Sequence, residues 1–128
     1  MTWTLACGMS ESFAGFVPMS GTFWAPVPDN CPTPPASLVH IHGTEDGVVP
    51  LGGRPIAQTR QGDVLTALAL YADHGRFTET GTVTAPGNMT CRQSQNPAGQ
   101  LLDFCTFPGG HSFSATRLNY GIHRVLDL

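Results

Sequence analysis

Lysine is absent from this 128-residue chain, whose six basic residues are all arginine, and only 12 % of its residues are charged. That charged share is about half of what a globular domain usually carries. With a formal net charge of −3, the chain has no electrostatic footprint for nucleic acid or an anionic lipid surface. Also missing is any apolar run near the roughly 20 residues of a membrane span. No positively charged n-region followed by an apolar h-region opens the sequence, so an exported form would carry its signal upstream of Met1. Internal repeats and low-complexity tracts are lacking too. The length fits at most one domain, large enough to bury a core.

Cysteine is present, four times, but never in CxxC spacing, which argues against a zinc knuckle or a thioredoxin-type motif. An even set of cysteines, abundant Gly and Pro, and the sequon Asn88-Met89-Thr90 point to an exported, disulfide-bonded protein. Sequence alone permits three pairings of Cys7, Cys31, Cys91 and Cys105.

Hydrophobic spacing gives the coarse order of elements. "MTWTLACGMSESF" reads as the tail of a helix, with Trp3, Leu5, Ala6 and Met9 at near-helical spacing and Gly8 and Ser10 as breakers. A short apolar strand, "AGFVPMSG" (14–21), ends in a Ser-Gly turn, and a proline-rich loop follows. "SLVHIHG" (37–43) is a second strand. Asp63 is a good N-cap for a helix that places Val64, Leu65, Leu68 and Tyr71 on one face and stops at Gly75. The polar stretch 76–99 holds one strand near 79–84. A third apolar strand lies in 100–110, and a helix closes the chain. Helix, strand, strand, helix, strand, helix predicts an α/β fold, a mostly parallel sheet flanked by helices.

In parallel sheets, functional groups gather beyond the C-terminal strand ends. Asp46 in "GTEDGVVP" and His111 in "FPGGHSF" both sit there, each in a glycine-marked turn. Alone, either is an ordinary turn residue. Together they are a carboxylate and an imidazole on matching strand ends, two parts of an acid–base relay that activates a nucleophile. His40 and His42 offer a competing arrangement: on a strand they share a face, and with Asp46 they could ligate a divalent metal. Where metallo-β-lactamase-like hydrolases place Asp and His after His-x-His, however, this chain has Thr44 and Glu45. "GMSES" (8–12) is a broken nucleophile elbow, ending a helix where an elbow must open one.

These residues resemble one family. "HIHGTEDGVVPLGG" is similar to the H-G-x-x-D-x-x-V-P-Y-x-G-G stretch of the secreted polyhydroxybutyrate depolymerase and feruloyl esterase group of α/β-hydrolases. "FPGGHSF" resembles the G-G-H-S/T-W stretch bearing that family's catalytic histidine. "MTWTLACGMSESFAGFVPMSG" resembles the segment after its nucleophile, where G-x-S-x-G-G-x-M enters a helix ending L-A-C. The likeness is strongest over 1–21, 38–53 and 104–113 and keeps the order Ser…Asp…His.

The resemblance implies a serine carboxylic ester hydrolase with Asp46 as triad acid and His111 as triad base, no cofactor and no metal. It implies that residues 1–128 are a single partial α/β-hydrolase domain, the C-terminal half, lacking the N-terminal strands and nucleophile elbow. Trp24, His42 and Val49 are the candidate substrate-lining residues, and a polyester or aromatic ester is the expected substrate. The alternative is a catalytically inactive binding or structural fragment. An open edge beside strand 14–20 would recruit the N-terminal half or a second copy of the chain. From their places along the chain, Cys7 is expected to pair with Cys31 and Cys91 with Cys105.

Overall fold

The computed structural model describes residues 1–127. Helix α1 (Thr2–Gly8) and a 3₁₀ turn (Ser10–Ser12) lead by a long loop into strand β1 (Leu38–Gly43). A two-residue hairpin, β2 (Pro55–Ile56) and β3 (Thr59–Arg60), precedes helix α2 (Val64–Gly75). Strands β4 (Thr78–Ala85), β5 (Met89–Gln95) and β6 (Leu101–Phe107) follow, and helix α3 (Ala115–Leu126) ends the order. The main sheet runs β1-β6-β5-β4.

The sheet is mixed, which corrects the expectation of a mostly parallel one. β1 and β6 pair in parallel, whereas β5 pairs antiparallel with both β6 and β4. The reason lies in 76–99, where the sequence suggests one strand and the structure has two. Gly87 and Asn88 both adopt positive φ, so Pro86-Gly87-Asn88 closes a tight hairpin turn. Arg117 of α3 holds that turn, donating from Nε to the Gly87 carbonyl at 2.8 Å while its guanidinium lies 3.5 Å over the Phe107 ring.

The expected strand at 14–21 is a partial one. Phe16 bridges Leu38 and Met19 bridges Ile41, both in parallel sense. Pro18 supplies a carbonyl to the Ile41 N–H at 2.9 Å but has no N–H of its own, so the ladder never becomes continuous.

Strand alternation sends β1 side chains to two cores. Val39 and Ile41 join Met89, Cys91, Cys105 and Phe107 beneath α3. On the other face Leu38 packs with Trp3, Val64, Ala67 and Tyr71 of α1 and α2, and His40 stands beside Trp3 with ring centroids 5.6 Å apart. Helices thus cover both faces of the sheet. Asp63 caps α2 as expected, its carboxylate accepting from the Thr66 N–H at 3.0 Å. Two details of that helix differ. Leu65 is 50 % exposed, because it lies one residue round from the buried Val64. The left-handed C-cap is Arg76 rather than Gly75; Gly75 is the last helical residue, pressed against Phe77 and Pro35, where a Cβ would collide.

Both expected disulfides are present. Cys7–Cys31 ties α1 to the proline-rich loop, and Cys91–Cys105 links β5 to β6. They close stretches of 24 and 14 residues, each worth about 3 kcal/mol of denatured-state entropy in the loop model. Replacing Cys91 and Cys105 together by Ala should therefore lower the unfolding free energy by about 3 kcal/mol in denaturant titration. A non-reducing peptide map of the parent should show that cross-link. Free thiols, or Cys31 joined to Cys91, would contradict it. No helix among the described residues is long and apolar enough to cross a membrane.

Candidate active site

The parallel pairing of β1 with β6 brings the turns after them side by side. Gly43 stands opposite Phe107 in register. Past it, the Thr44 N–H donates to the Phe107 carbonyl at 2.9 Å and the Glu45 N–H to the Gly109 carbonyl at 2.8 Å. The two turns meet so closely at Gly43 that a Cβ there would run into the carbonyl oxygens of Gly109 and Gly110. Only glycine fits this approach.

That seam joins Asp46 to His111. Nδ1 of His111 lies 2.8 Å from Oδ2 of Asp46, whose side chain is fully buried while the His111 side chain is 41 % exposed. An ionised carboxylate only accepts, so the proton of this bond sits on Nδ1. Nε2 is left with a lone pair, the form a general base needs. The other oxygen, Oδ1, accepts from the backbone N–H groups of Val48 at 2.9 Å and Val49 at 2.8 Å. Burial pushes the Asp46 carboxyl up, but the Val49 N–H, His111 and the Val48 N–H outweigh it and hold it below the usual carboxylate value.

Beneath this pair lie the two buried histidines of β1. Trp3 Nε1–H donates to Nδ1 of His40 at 3.0 Å. Nε2 of His40 is 2.9 Å from Nδ1 of His42, and Nε2 of His42 is 2.7 Å from the Val49 carbonyl. An indole N–H only donates and a carbonyl only accepts. The two ends therefore fix every proton between them: His40 and His42 each carry hydrogen on Nε2 and accept on Nδ1. Burial, then the neighbouring His42, lowers His40 to about 3. Burial also lowers His42, partly offset by the Val49 carbonyl and by Asp46, whose Oδ2 is 3.6 Å away.

This chain of bonds removes the metal-binding alternative for His40, His42 and Asp46. Every imidazole lone pair in it already accepts a hydrogen bond, and none is free to ligate. It also corrects the placing of His42 in a substrate pocket, because His42 is fully buried. Val49 acts through its backbone, whose N–H donates to Asp46 and whose carbonyl accepts from His42. Trp24 is 60 % exposed and lines a groove with Phe23, Pro26, Pro28 and Pro32 that includes neither Asp46 nor His111. Its link to the pair is indirect. Trp24 bridges Gln61, and Gln61 donates from Nε2 to the Val48 carbonyl at 3.0 Å.

Ser10 is ruled out as a nucleophile by its surroundings. It is buried, and its hydroxyl is bonded to the Pro34 carbonyl at 2.5 Å and to Thr33 Oγ1 at 2.9 Å. Among the described residues no hydroxyl or thiol is hydrogen-bonded to Nε2 of His111.

Several contributors escape sequence reading. Gly43, Trp3 and the Val48 peptide shape the site without bearing its chemistry. One signal for the Asp46 turn was available: an Asp followed by Gly-Val-Val is suited to accept from the N–H groups two and three residues on, as it does here. Comparison with protein-family models and with curated proteins gives no match.

Proposed function

We propose that this chain supplies the acid, Asp46, and the base, His111, of a Ser-Asp-His triad in a secreted carboxylic ester hydrolase. The observation that carries this is the 2.8 Å bond from His111 Nδ1 to a buried carboxylate whose second oxygen is held by two peptide N–H groups. Such a bond fixes the imidazole tautomer and stabilises the imidazolium that forms when Nε2 takes a proton. The resemblance to polyhydroxybutyrate depolymerases and feruloyl esterases adds the substrate class, a polyester or an aromatic ester, and an origin for the serine in the N-terminal half of that fold. The mixed α/β sheet with helices on both faces suits the C-terminal part of an α/β-hydrolase. The two disulfides suit an extracellular setting.

In this mechanism a serine hydroxyl approaches His111 Nε2 from the exposed side. As the hydroxyl oxygen attacks the ester carbonyl, Nε2 accepts its proton and Asp46 stabilises the resulting imidazolium. Nε2 then returns the proton to the departing alkoxide. Water repeats the cycle on the acyl-enzyme. Each oxyanion-hole donor contributes about 3 kcal/mol to such a reaction.

A second reading, an inactive binding or structural piece, is favoured by the lack of a hydroxyl partner for His111 among the described residues. One assay separates the two. The 128-residue chain alone should give no phosphonate-sensitive turnover of a short-chain nitrophenyl ester. Co-folding with a serine-bearing N-terminal half of such an esterase, docked along the 14–20 edge or fused in one chain, should restore it. Persistent inactivity of a folded fusion would favour the inactive reading. Phosphonate-sensitive turnover by the chain alone would mean that a serine such as Ser112 has been recruited.

A further inference from the structure

Two buried imidazoles, His40 and His42, take no part in the proton transfers above, yet each nitrogen of both is engaged. We infer that Trp3, His40 and His42 form a one-way hydrogen-bond chain that sets where the Asp46 carboxylate points, with His42 as its positioning residue. The inference rests on reading Asp46 as the partner of a catalytic His111.

The argument is one of direction. Two stacked neutral imidazoles can share a hydrogen bond in either sense, and in isolation the two senses are nearly equivalent. Here the ends differ. Trp3 Nε1 offers a hydrogen and the Val49 carbonyl offers lone pairs, so every N–H runs from α1 toward the Asp46 turn. His42 consequently presents Nε2–H, at 2.7 Å, to the Val49 carbonyl and, at 3.6 Å, to Oδ2 of Asp46. Reversing the chain would aim an imidazole lone pair at both oxygens, which repels the carboxylate and frees the Val49 carbonyl.

Val49 matters because its N–H and its carbonyl, in the peptide groups on either side of its Cα, serve the same site. Its carbonyl is held by His42, and the N–H of Val49 donates to Oδ1 of Asp46 at 2.8 Å. From the opposite side, Arg54 Nε at 2.8 Å and Gln61 Nε2 at 3.0 Å hold the Val48 carbonyl. Asp46 is thereby fixed from below by His42 and from the flank by Arg54 and Gln61, leaving Oδ2 directed at His111. Trp3, 43 positions before Asp46 in the chain, reaches the site through the two rings between them.

Imidazole nitrogen spectra of the ¹⁵N-labelled 128-residue chain test this without any ester turnover. In the parent, His40 and His42 should each show a protonated Nε2 and an unprotonated Nδ1, and His111 a protonated Nδ1. Trp3→Phe keeps an aromatic ring but removes the donor. It leaves the Val49 carbonyl as the one end that directs the chain. A minor reversed tautomer of His40 and His42 should then become detectable, and with it a rise in the Nε2-protonated form of His111. Tyr71→Phe is the structural control. It removes a buried hydroxyl bonded to the Ala36 N–H at 2.9 Å in the same core, and should lower stability while leaving all three spectra unchanged. Should Trp3→Phe fail to fold, His42→Gln and His42→Leu decide. Gln can accept from His40 and donate to Val49, so it should preserve the His111 tautomer, and Leu should lose it. An Nδ1-protonated His40 or His42 in the parent would overturn the inference. So would a His111 tautomer indifferent to Trp3→Phe and His42→Leu. An inactive fusion enzyme with the expected spectra would count against the esterase reading alone.

Discussion

Asp46→Asn should lower kcat of the serine-complemented enzyme about 10⁴-fold while leaving the fold intact, the scale seen when a triad Asp is made Asn. An amide at 46 can still accept from the Val48 and Val49 N–H groups through Oδ1. Its NH₂ then faces His111 Nδ1, donor against donor. The imidazole escapes by moving its proton to Nε2, where it can no longer take one from a hydroxyl. His111→Ala should cost a similar factor, and the double variant little more than either alone, because the two act as a unit. The check is burst and steady-state kinetics on a nitrophenyl ester, with near-ultraviolet circular dichroism for the fold. An Asp46→Asn variant within tenfold of its parent would remove Asp46 from the proposed triad.

The second large effect is on stability, through a residue that performs no chemistry. His40 is fully buried, and its folded-state value of about 3 lies far below the ordinary 6.5. Unfolding releases it into water, where it binds a proton at any pH below 6.5. The unfolded state therefore holds more protons across the window from 6.5 down to about 3, and stability falls as pH falls through it. Above that window the contribution is fully present. Between about pH 7 and pH 5 the loss from His40 alone should be about 2 kcal/mol. His42, also lowered by burial, adds to the loss in the same direction. Asp46 acts in a more acid window that overlaps only the lower end of this one, since its folded value is depressed below 3.8 and its contribution is lost as pH falls from there through the folded value. Urea titrations at the two pH values, with proton uptake read from unfolding heats in buffers of different ionisation enthalpy, measure this directly. Equal unfolding free energies at both would show that His40 is charged or exposed in the folded protein.

What was readable in the sequence, and what was not, follows from where each signal resides. Asp46 and His111 were legible because both announce themselves chemically and both follow apolar strands. The alternation of β1 was enough to place His40 and His42 on one face. That they bond to each other rather than to a ligand depended on Trp3, which reaches His40 only in three dimensions. β4 (Thr78–Ala85) was legible nearly in place, at 79–84, although its residues are almost all exposed. The strand that escaped is its partner β5, which buries Met89 and Cys91, yet the string "CRQSQ" reads as loop. The turn residues Pro86-Gly87-Asn88 were the usable clue to a hairpin, and the hairpin is what makes the sheet mixed. Pro18 explains the opposite error, an apolar segment that lies along β1 but cannot complete a ladder. Leu65 shows a limit of helical periodicity, since neighbouring apolar residues on a helix point about 100° apart and only one of them meets the core.

The contact at Gly43 also bears on how this site can change over generations. Every single-base missense change to a glycine codon installs a residue with a Cβ, and any Cβ at 43 collides with the carbonyls of Gly109 and Gly110. Substitution there must push apart the two turns that hold Asp46 and His111 together. Relief would require a simultaneous backbone rearrangement some 65 residues away in the chain, the separation between the paired acid and base. Gradual drift is therefore closed at this position. Glycine at 43 in related genes would thus mark the close approach of the two turns and the end of the β1–β6 pairing.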